Sequence, residues 1–443
     1  MSGHACNARS GRARRPAARY PTARRPAARR RLWPAPLLAV AGLLVLLTAC
    51  TGTRSGSTAT PGATSPTSTT NKDFIRLVVP PGPVQNGNVD PRNDWVTPFE
   101  EQTGCRVDLV NAPTDAAVYA DLTKGIGNSY YDGVLASPTV AGQLIGAKAV
   151  APLSTSGISG YSRVSPRLAS AAPEVSGGRT YGLPYLWDSY VTGYAAGQVK
   201  PAPQTWTALF SPSSAKAYSG KITIPQDPIT LALAALYLKS AQPSLGISDP
   251  FELTSGQLSQ AENAVQAVRP DIGTYWNSDA AVIGQLGDGQ DVLGAVLTHQ
   301  LNEMTRAGLP LAGVPTLTRA AGSGPQVAFL YSWMVTAHAA NTKCTYQWMS
   351  WTTSNYVQER ASAFTSAAPV APAACTGPAA ANCAAYHMSS LPSARNIVFQ
   401  HLPVTGCGQA GGCASYASWE AAWKRVTAAA GVPAAPSAVA SPG

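Results

Sequence analysis

Short apolar runs rich in β-branched residues alternate along this chain with amphipathic stretches closed by glycine. Phe74 to Val79 (FIRLVV) stops at Pro80-Pro81 and predicts a strand ending in a turn. Trp95 to Gln102 has helical spacing and runs into Gly104, a residue suited to a helix C-terminus, after which Cys105 to Val110 alternates like a strand. The cycle recurs: Ala116 to Lys124 predicts a helix, Tyr131 to Ala136 a strand, and Val140 to Ala147 a second short helix. Strand, helix and strand within about 40 residues indicate a parallel α/β unit. The roughly 370 residues beyond position 72 exceed what one compact core usually organises, so two lobes are expected.

The pattern before position 73 is different. Ten arginines lie between Arg9 and Arg31 with no acidic residue among them, followed by an apolar run from Leu32 to Leu47 and by Leu47-Thr48-Ala49-Cys50. These are the three regions of an export signal in order, ending in a bacterial lipobox. Residues 1–49 are therefore expected to be a lipoprotein signal peptide, with Cys50 lipidated and the chain anchored to a membrane rather than spanning it. A transmembrane helix fits less well, because the apolar part is short of the roughly 20 residues of a span and Pro34 and Pro36 interrupt it. Arg29-Arg30-Arg31-Leu32-Trp33 resembles a twin-arginine signal, leaving both export routes open. Residues 50–72, rich in Ser, Thr, Gly and Pro, read as a flexible tether, and residues 431–443 as a disordered tail.

Removing the leader changes the charge. The whole chain carries +10, but ten of its 32 basic residues precede position 32, leaving 22 against 22 acidic ones. No basic face is left to support a nucleic-acid partner. Of eight cysteines, Cys6 leaves with the leader and Cys50 takes lipid; an even number remains, as expected for disulfides outside the cell. Several connectivities are open. Cys375/Cys383 and Cys407/Cys413 each close a short loop, which would leave Cys105 with Cys344. The cysteine and histidine spacings do not form a metal-ligand pattern, and no metal or cofactor is expected.

Several pieces in order carry a resemblance: Trp95-Val96-Thr97-Pro98-Phe99-Glu100, Tyr131-Asp132-Gly133-Val134, Tyr181 to Trp187 (YGLPYLW), Thr205 to Phe210 (TWTALF), Gly220 to Ile224 (GKITI), Asp227-Pro228, Arg269 to Gly273 (RPDIG) and Tyr275-Trp276. Together they are similar to the extracellular solute-binding proteins of ABC importers, and most of all to the spermidine/putrescine-binding family, over most of residues 74–426. The resemblance implies an α/β, two-lobed periplasmic-binding-protein fold (type II-like) with a ligand cleft between lobes. Lobe 1 would comprise residues 73–186 and about 332–375, and lobe 2 residues 187–331 and about 376–430. Hinges would fall near Tyr185 to Tyr190 and Tyr331 to Met334, and closure would present the loaded protein to an ABC permease with its ATPase. A monomer on the extracellular face of the membrane is expected.

A polyamine site needs carboxylates for ammonium groups and aromatic faces for the methylene chain. Carried over by position, the resemblance implies Asp227, Thr230, Phe329, Tyr331, Gln400 and Ser137 as ligand-binding residues. Thr230 stands where the family has a glutamate, Tyr331 where it has a second aspartate, Leu297 where it has a stacking tryptophan, and Pro80 and Pro83 where it has aromatic residues. One carboxylate of several remains, so the expected solute is polyamine-like or a less cationic polar metabolite. Asp227, ahead of Pro228, is equally placed to cap a helix, and Phe329 and Tyr331 to fill a core. His299 and His338 stand alone and read as structural. A sensing or scaffold lipoprotein and a secreted hydrolase are the other classes. The chain lacks a Gly-x-Ser-x-Gly, a His-Glu-x-x-His and a P-loop, the local motifs of such an enzyme.

Overall fold

A computed structural model describes residues 73–124, 130–171, 175–313, 326–391, 397–402 and 412–430. The segments expected to be signal peptide, tether and C-terminal tail, with Cys50 and Cys407, lie outside the described residues. Among the described residues, no helix is long and apolar enough to cross a membrane.

The first elements follow the sequence periodicity. Strand β1 (Phe74–Val79) leads to α1 (Thr97–Thr103), β2 (Arg106–Asn111), α2 (Asp115–Thr123), β3 (Gly133–Ala136) and α3 (Pro138–Gly146). Gly104 ends α1 at φ 73°, and its N–H donates to the Glu100 carbonyl. Only glycine takes this left-handed position without steric cost, which is why the helix stops there. Thr114 and Ser137 cap α2 and α3, their side chains accepting from Ala117 N–H and Val140 N–H.

The chain then enters β4 (Gly182–Ala195), a strand far longer than the earlier ones. Beyond it come β5 (Ile222–Pro225), α4 (Ile229–Ala241), α5 (Ser255–Val268), β6 (Ile272–Trp276), α6 (Asp279–Gly287), β7 (Leu293–Leu297) and α7 (Thr298–Arg306). A second long strand, β8 (Gln326–Thr336), precedes α8 (Thr342–Thr352), α9 (Asn355–Thr365), β9 (Ile397–Phe399) and α10 (Tyr416–Ala430). Helix α4 is buried nearly all round, which explains its uniformly apolar sequence ITLALAALYL.

The principal strands run in the order β2-β1-β3-β8-β4-β7-β5-β6. β1 is parallel to β2 and β3, and β5 is parallel to β6 and β7. Between these two parallel groups lie β8 and β4, antiparallel to each other and to their outer neighbours β3 and β7. β4 pairs with β8 through both halves of its length: Gly182 faces Met334, and Tyr190 faces Val327. The chain thus passes twice between the sheet halves, and the β4–β8 register shifts at Tyr331/Ser332, inside the stretch expected to be a hinge. The described residues pack as one unit. One apolar cluster runs through both halves; a smaller one, with Val118, Leu122, Val140 and Leu144, lies under α2 and α3.

Disulfides join Cys105 to Cys344 and Cys375 to Cys383. The first ties the start of β2 to α8, closing a separation of 239 residues. Cys413 is also disulfide-bonded, and the partner expected for it, Cys407, is outside the described residues.

Candidate functional site

In open α/β sheets, ligands bind beyond the carboxyl ends of parallel strands where the strand order reverses. Here that position is the junction flanking β4 and β8. The residues just after β2, β3 and β5 are Asp115, Ser137 and Asp227, so two carboxylates and a hydroxyl reach the junction from opposite sheet halves.

Asp115 keeps part of its surface exposed, but its carboxylate is enclosed. Ser137 Oγ donates to Oδ2 at 2.7 Å, whereas the buried Oδ1 has no hydrogen-bond partner. Burial pushes the Asp115 carboxyl up to about 6; the Ser137 hydrogen bond opposes this, and the charge of Asp227 adds to it. Asp227 is likewise raised, chiefly by burial, against a hydrogen bond from Ile229 N–H to Oδ1 at 2.8 Å and with the charge of Glu420 adding to the rise. Asp227 therefore binds the first N–H of α4 from the residue before its N-cap, Pro228, and it also lies within electrostatic reach of Asp115.

Aromatic rings surround the pair. Phe329 packs against Tyr190 at 5.9 Å and edge-on to Tyr331 at 5.7 Å between centroids. Both tyrosines are buried, and their phenols are held well above the usual range by desolvation first. Asp227 then adds to the rise at Tyr190, and Asp115 at Tyr331. Tyr190 lies directly across the strand pair from Leu297, so the ring absent at position 297 is supplied from the neighbouring strand.

The C-terminal helix contributes a further wall. Trp419 stacks on Phe251 (6.5 Å, 14° between planes), Trp423 meets Tyr275, and Arg425 makes a two-point ion pair with Glu262. These contacts hold α10 so that Tyr416, at its first turn, feels Asp227, Glu420 and Asp115 in addition to the desolvation that raises its phenol.

The six expected residues do not all converge. Ser137, Asp227, Phe329 and Tyr331 meet at the junction. Gln400 is close by: its N–H donates to the Ala328 carbonyl at 2.7 Å and its amide reaches Thr139 Oγ1 at 3.5 Å, linking β8 to the head of α3. Thr230 lies in the first turn of α4. It is fully buried, and its hydroxyl donates to the Pro225 carbonyl at 2.9 Å, which braces the turn between β5 and α4. Asp115, Tyr190, Tyr416 and Glu420 were missed. Asp115 follows the Pro113-Thr114 turn as an ordinary helix-opening acid, and Tyr416 and Glu420 lie among small residues of the tail; only Tyr190, inside the YLWDSY run at an expected hinge, had a local signal.

A second acidic group lies beneath the aromatic floor. Asp188, on β4, accepts from His299 Nδ1 through Oδ2 at 2.5 Å and from the Tyr386 hydroxyl through Oδ1 at 2.7 Å. His299 Nε2 is 3.2 Å from Asp279 Oδ1, which also accepts from the Gln300 amide at 2.6 Å. Burial alone would lower the His299 pKa, but the two aspartates overcome it and raise the imidazole to about 10. Trp187 is fully buried against Tyr386, 5.1 Å between centroids, and so belongs to the packing of the crossover.

Two α/β halves joined by paired crossover strands, with acids and aromatic rings at the joint, make the junction the candidate site for a small molecule. The chain belongs to the bacterial extracellular solute-binding proteins, whose family model matches residues 94–386. It is thus an extracellular solute-binding protein, in a non-enzymatic family. Among solved structures it is similar to the spermidine/putrescine ABC transporter substrate-binding protein PotD of Streptococcus pneumoniae, with a TM-score of 0.60 at 14% identity over 81% of this chain and 98% of that one. The TpPotD lipoprotein of Treponema pallidum gives 0.59 at 15% identity over 80% and 99%. The Atu4243 GABA receptor gives 0.56 at 17% over 81% and 96%. These likenesses establish the fold.

Proposed function

We propose that the chain captures a small amine-bearing cation, polyamine-like in character, between its lobes and delivers it to the permease of an ABC importer. The observation that carries this reading is the pair of enclosed carboxylates, Asp115 and Asp227, contributed by opposite sheet halves and paired with no cationic side chain among the described residues. Two like charges in a poorly solvated space repel, and an ammonium group between them relieves both their repulsion and their desolvation. Phe329, Tyr190 and Tyr331 supply the ring faces on which a cation or its methylene chain rests. This site is more acidic than the family-aligned positions alone imply, because Asp115 supplies a carboxylate from outside those positions. Of the two solutes expected from the sequence, a polyamine-like one or a less cationic polar metabolite, this supports the first.

Residues 73–186 with about 332–375, and 187–331 with about 376–430, are the lobes in this reading. Because each carboxylate belongs to a different lobe, a cation held by both favours the closed arrangement. Cys50 would carry the lipid that keeps the protein at the extracellular membrane face; the Leu47-Thr48-Ala49-Cys50 sequence supports this, and loss of radiolabelled palmitate in Cys50→Ala would test it.

Calorimetric titration of the purified protein with putrescine, spermidine, 4-aminobutyrate and neutral sugars tests the ligand class. Saturable binding of an amine, with a rise in stability of about 2.7 kcal/mol at 100 times Kd, is the expected result. Binding of a neutral sugar with no response to any amine would overturn the reading.

A further inference from the structure

A second concave site lies on the outer helix layer of the first sheet half, a cavity of about 560 Å³, within the size range of small-molecule sites. It is bounded by the end of α1, the 157–163 turn and one face of α8. Its lining includes Arg163 and Lys343, the hydroxyls of Ser159 and Ser350, and the rings of Tyr346 and Trp351, and it includes no acidic residue. Neither cation has a carboxylate partner among the described residues; the Arg163 guanidinium donates instead to the Ser350 carbonyl at 3.0 Å. With the leader removed the chain is balanced in charge, so two cations converging without an acid are a local surplus.

The walls are fixed before any ligand arrives. The Cys105–Cys344 disulfide joins the residue after Gly104, just beyond α1, to the residue after Lys343 on α8. The facing turn is held backbone to helix: Ser154 N–H donates to the Tyr346 hydroxyl at 2.9 Å, and Thr353 Oγ1 donates to the Gly160 carbonyl at 3.2 Å. A Cβ at Gly160 would fall 2.0 Å from Thr353 Oγ1 and 2.8 Å from the Ser350 carbonyl, so the turn lies this close to α8 only because position 160 has no side chain. The head of α8 is anchored beside the beginnings of β1 and β3, where Asn341 N–H donates to Asp132 Oδ1 and its amide to the Phe74 carbonyl. Asp115 and Ser137 follow the opposite, carboxyl ends of β2 and β3. The cavity is therefore separate from the amine site.

We propose that this cavity is a second binding site, for a small polyhydroxylated anion such as a sugar phosphate or a sugar acid. Arg163 and Lys343 meet the phosphate or carboxylate, the serine and tyrosine hydroxyls meet the sugar hydroxyls, and the Trp351 ring takes an apolar sugar face. The site is independent of the reading of the amine site.

The test is calorimetry on the full chain with glucose 6-phosphate, glucuronate and glucose as probes. Saturable binding of either anion, at least tenfold tighter than glucose, is expected, and the two anions separate phosphate from carboxylate recognition. The double variant Arg163→Gln/Lys343→Gln should lose at least tenfold in anion affinity with an unchanged thermal midpoint. Ser159→Trp, which fills the cavity without altering charge, should abolish binding. No saturation with either anion, or equal affinity in wild type and both variants, overturns the proposal.

Discussion

Two pairs of buried carboxylates lie around Tyr190 and Tyr331, and the protein treats them in opposite ways. Asp188 and Asp279 have His299 between them, with the Tyr386 hydroxyl donating to Asp188 and the Gln300 amide to Asp279. Asp115 and Asp227 have no such cation, and Oδ1 of Asp115 has no partner at all. A buried acid is tolerated when a fixed counter-charge stands beside it, and otherwise its pKa rises. The first pair shares a resident cation and is structure at the crossover, and the second is competent to take charge from outside. The two cannot be told apart by counting carboxylates; the partner decides.

The most destabilising way to break this comparison is to remove the resident cation. His299→Gln leaves Asp188 and Asp279 facing each other without a counter-charge and should lower unfolding free energy by about 3–5 kcal/mol in urea titrations. Replacing both Cys105 and Cys344 by alanine, which touches neither carboxylate pair, should cost about 2–5 kcal/mol through the long loop it opens while leaving amine affinity as it was. In the other pair, Asp227→Asn should weaken amine binding by roughly 30-fold, equivalent to about 2 kcal/mol, with little loss of stability. Asp115→Asn should weaken binding similarly but make the ligand-free protein more stable by about 3 kcal/mol at neutral pH, because its carboxyl is raised from 3.8 to about 6 on folding. A fall in stability on that substitution would mean the pair is structural after all.

Titration sharpens the same contrast. Both Asp115 and His299 have a raised folded-state pKa, so each stabilises the protein most below its unfolded value and loses that contribution as pH rises through the folded one. For Asp115 the loss falls between 3.8 and about 6, and for His299 between 6.5 and about 10. Over the Asp115 window, amine affinity should move the other way, strengthening as the carboxylate ionises; calorimetry at pH 5 and pH 7 reads this directly. The smallest effect is expected from the ring floor: Phe329→Ala should reduce amine affinity about fivefold, roughly 1 kcal/mol, by removing one face of the aromatic wall.

Local structure was largely legible. The FIRLVV run, the Gly104 stop, the alternation after Cys105 and the capping serine at position 137 all describe interactions within a few residues, and β1, α1, β2 and α3 lie where those patterns place them. Asp227 was legible for the same reason, since an acid before Pro228 at a helix head announces itself. Asp115 and Glu420 were not. Each looks like an ordinary helix-surface acid, and what distinguishes them is closeness to Asp227. The same holds for Thr230, whose hydroxyl bond to the Pro225 carbonyl has no signal in the neighbouring residues. Tyr190 shows the converse: the ring expected at Leu297 is present one strand over, because cross-strand neighbours share one surface irrespective of their separation along the chain.

The sequence by itself determined the alternation of strands and helices, their caps, the export signal pattern with its near-neutral remainder, and the order of motifs shared with solute-binding proteins. These depend on short-range sterics, on hydrophobic periodicity and on composition, all of which are written locally. Only the tertiary structure decided which acids share a space, which of them already has a cation, and which aromatic rings wall the junction. Electrostatic and packing energies depend on distance in space and on the loss of water around a group, and two long strands that cross between the sheet halves bring together residues whose neighbours in the chain carry no trace of the meeting.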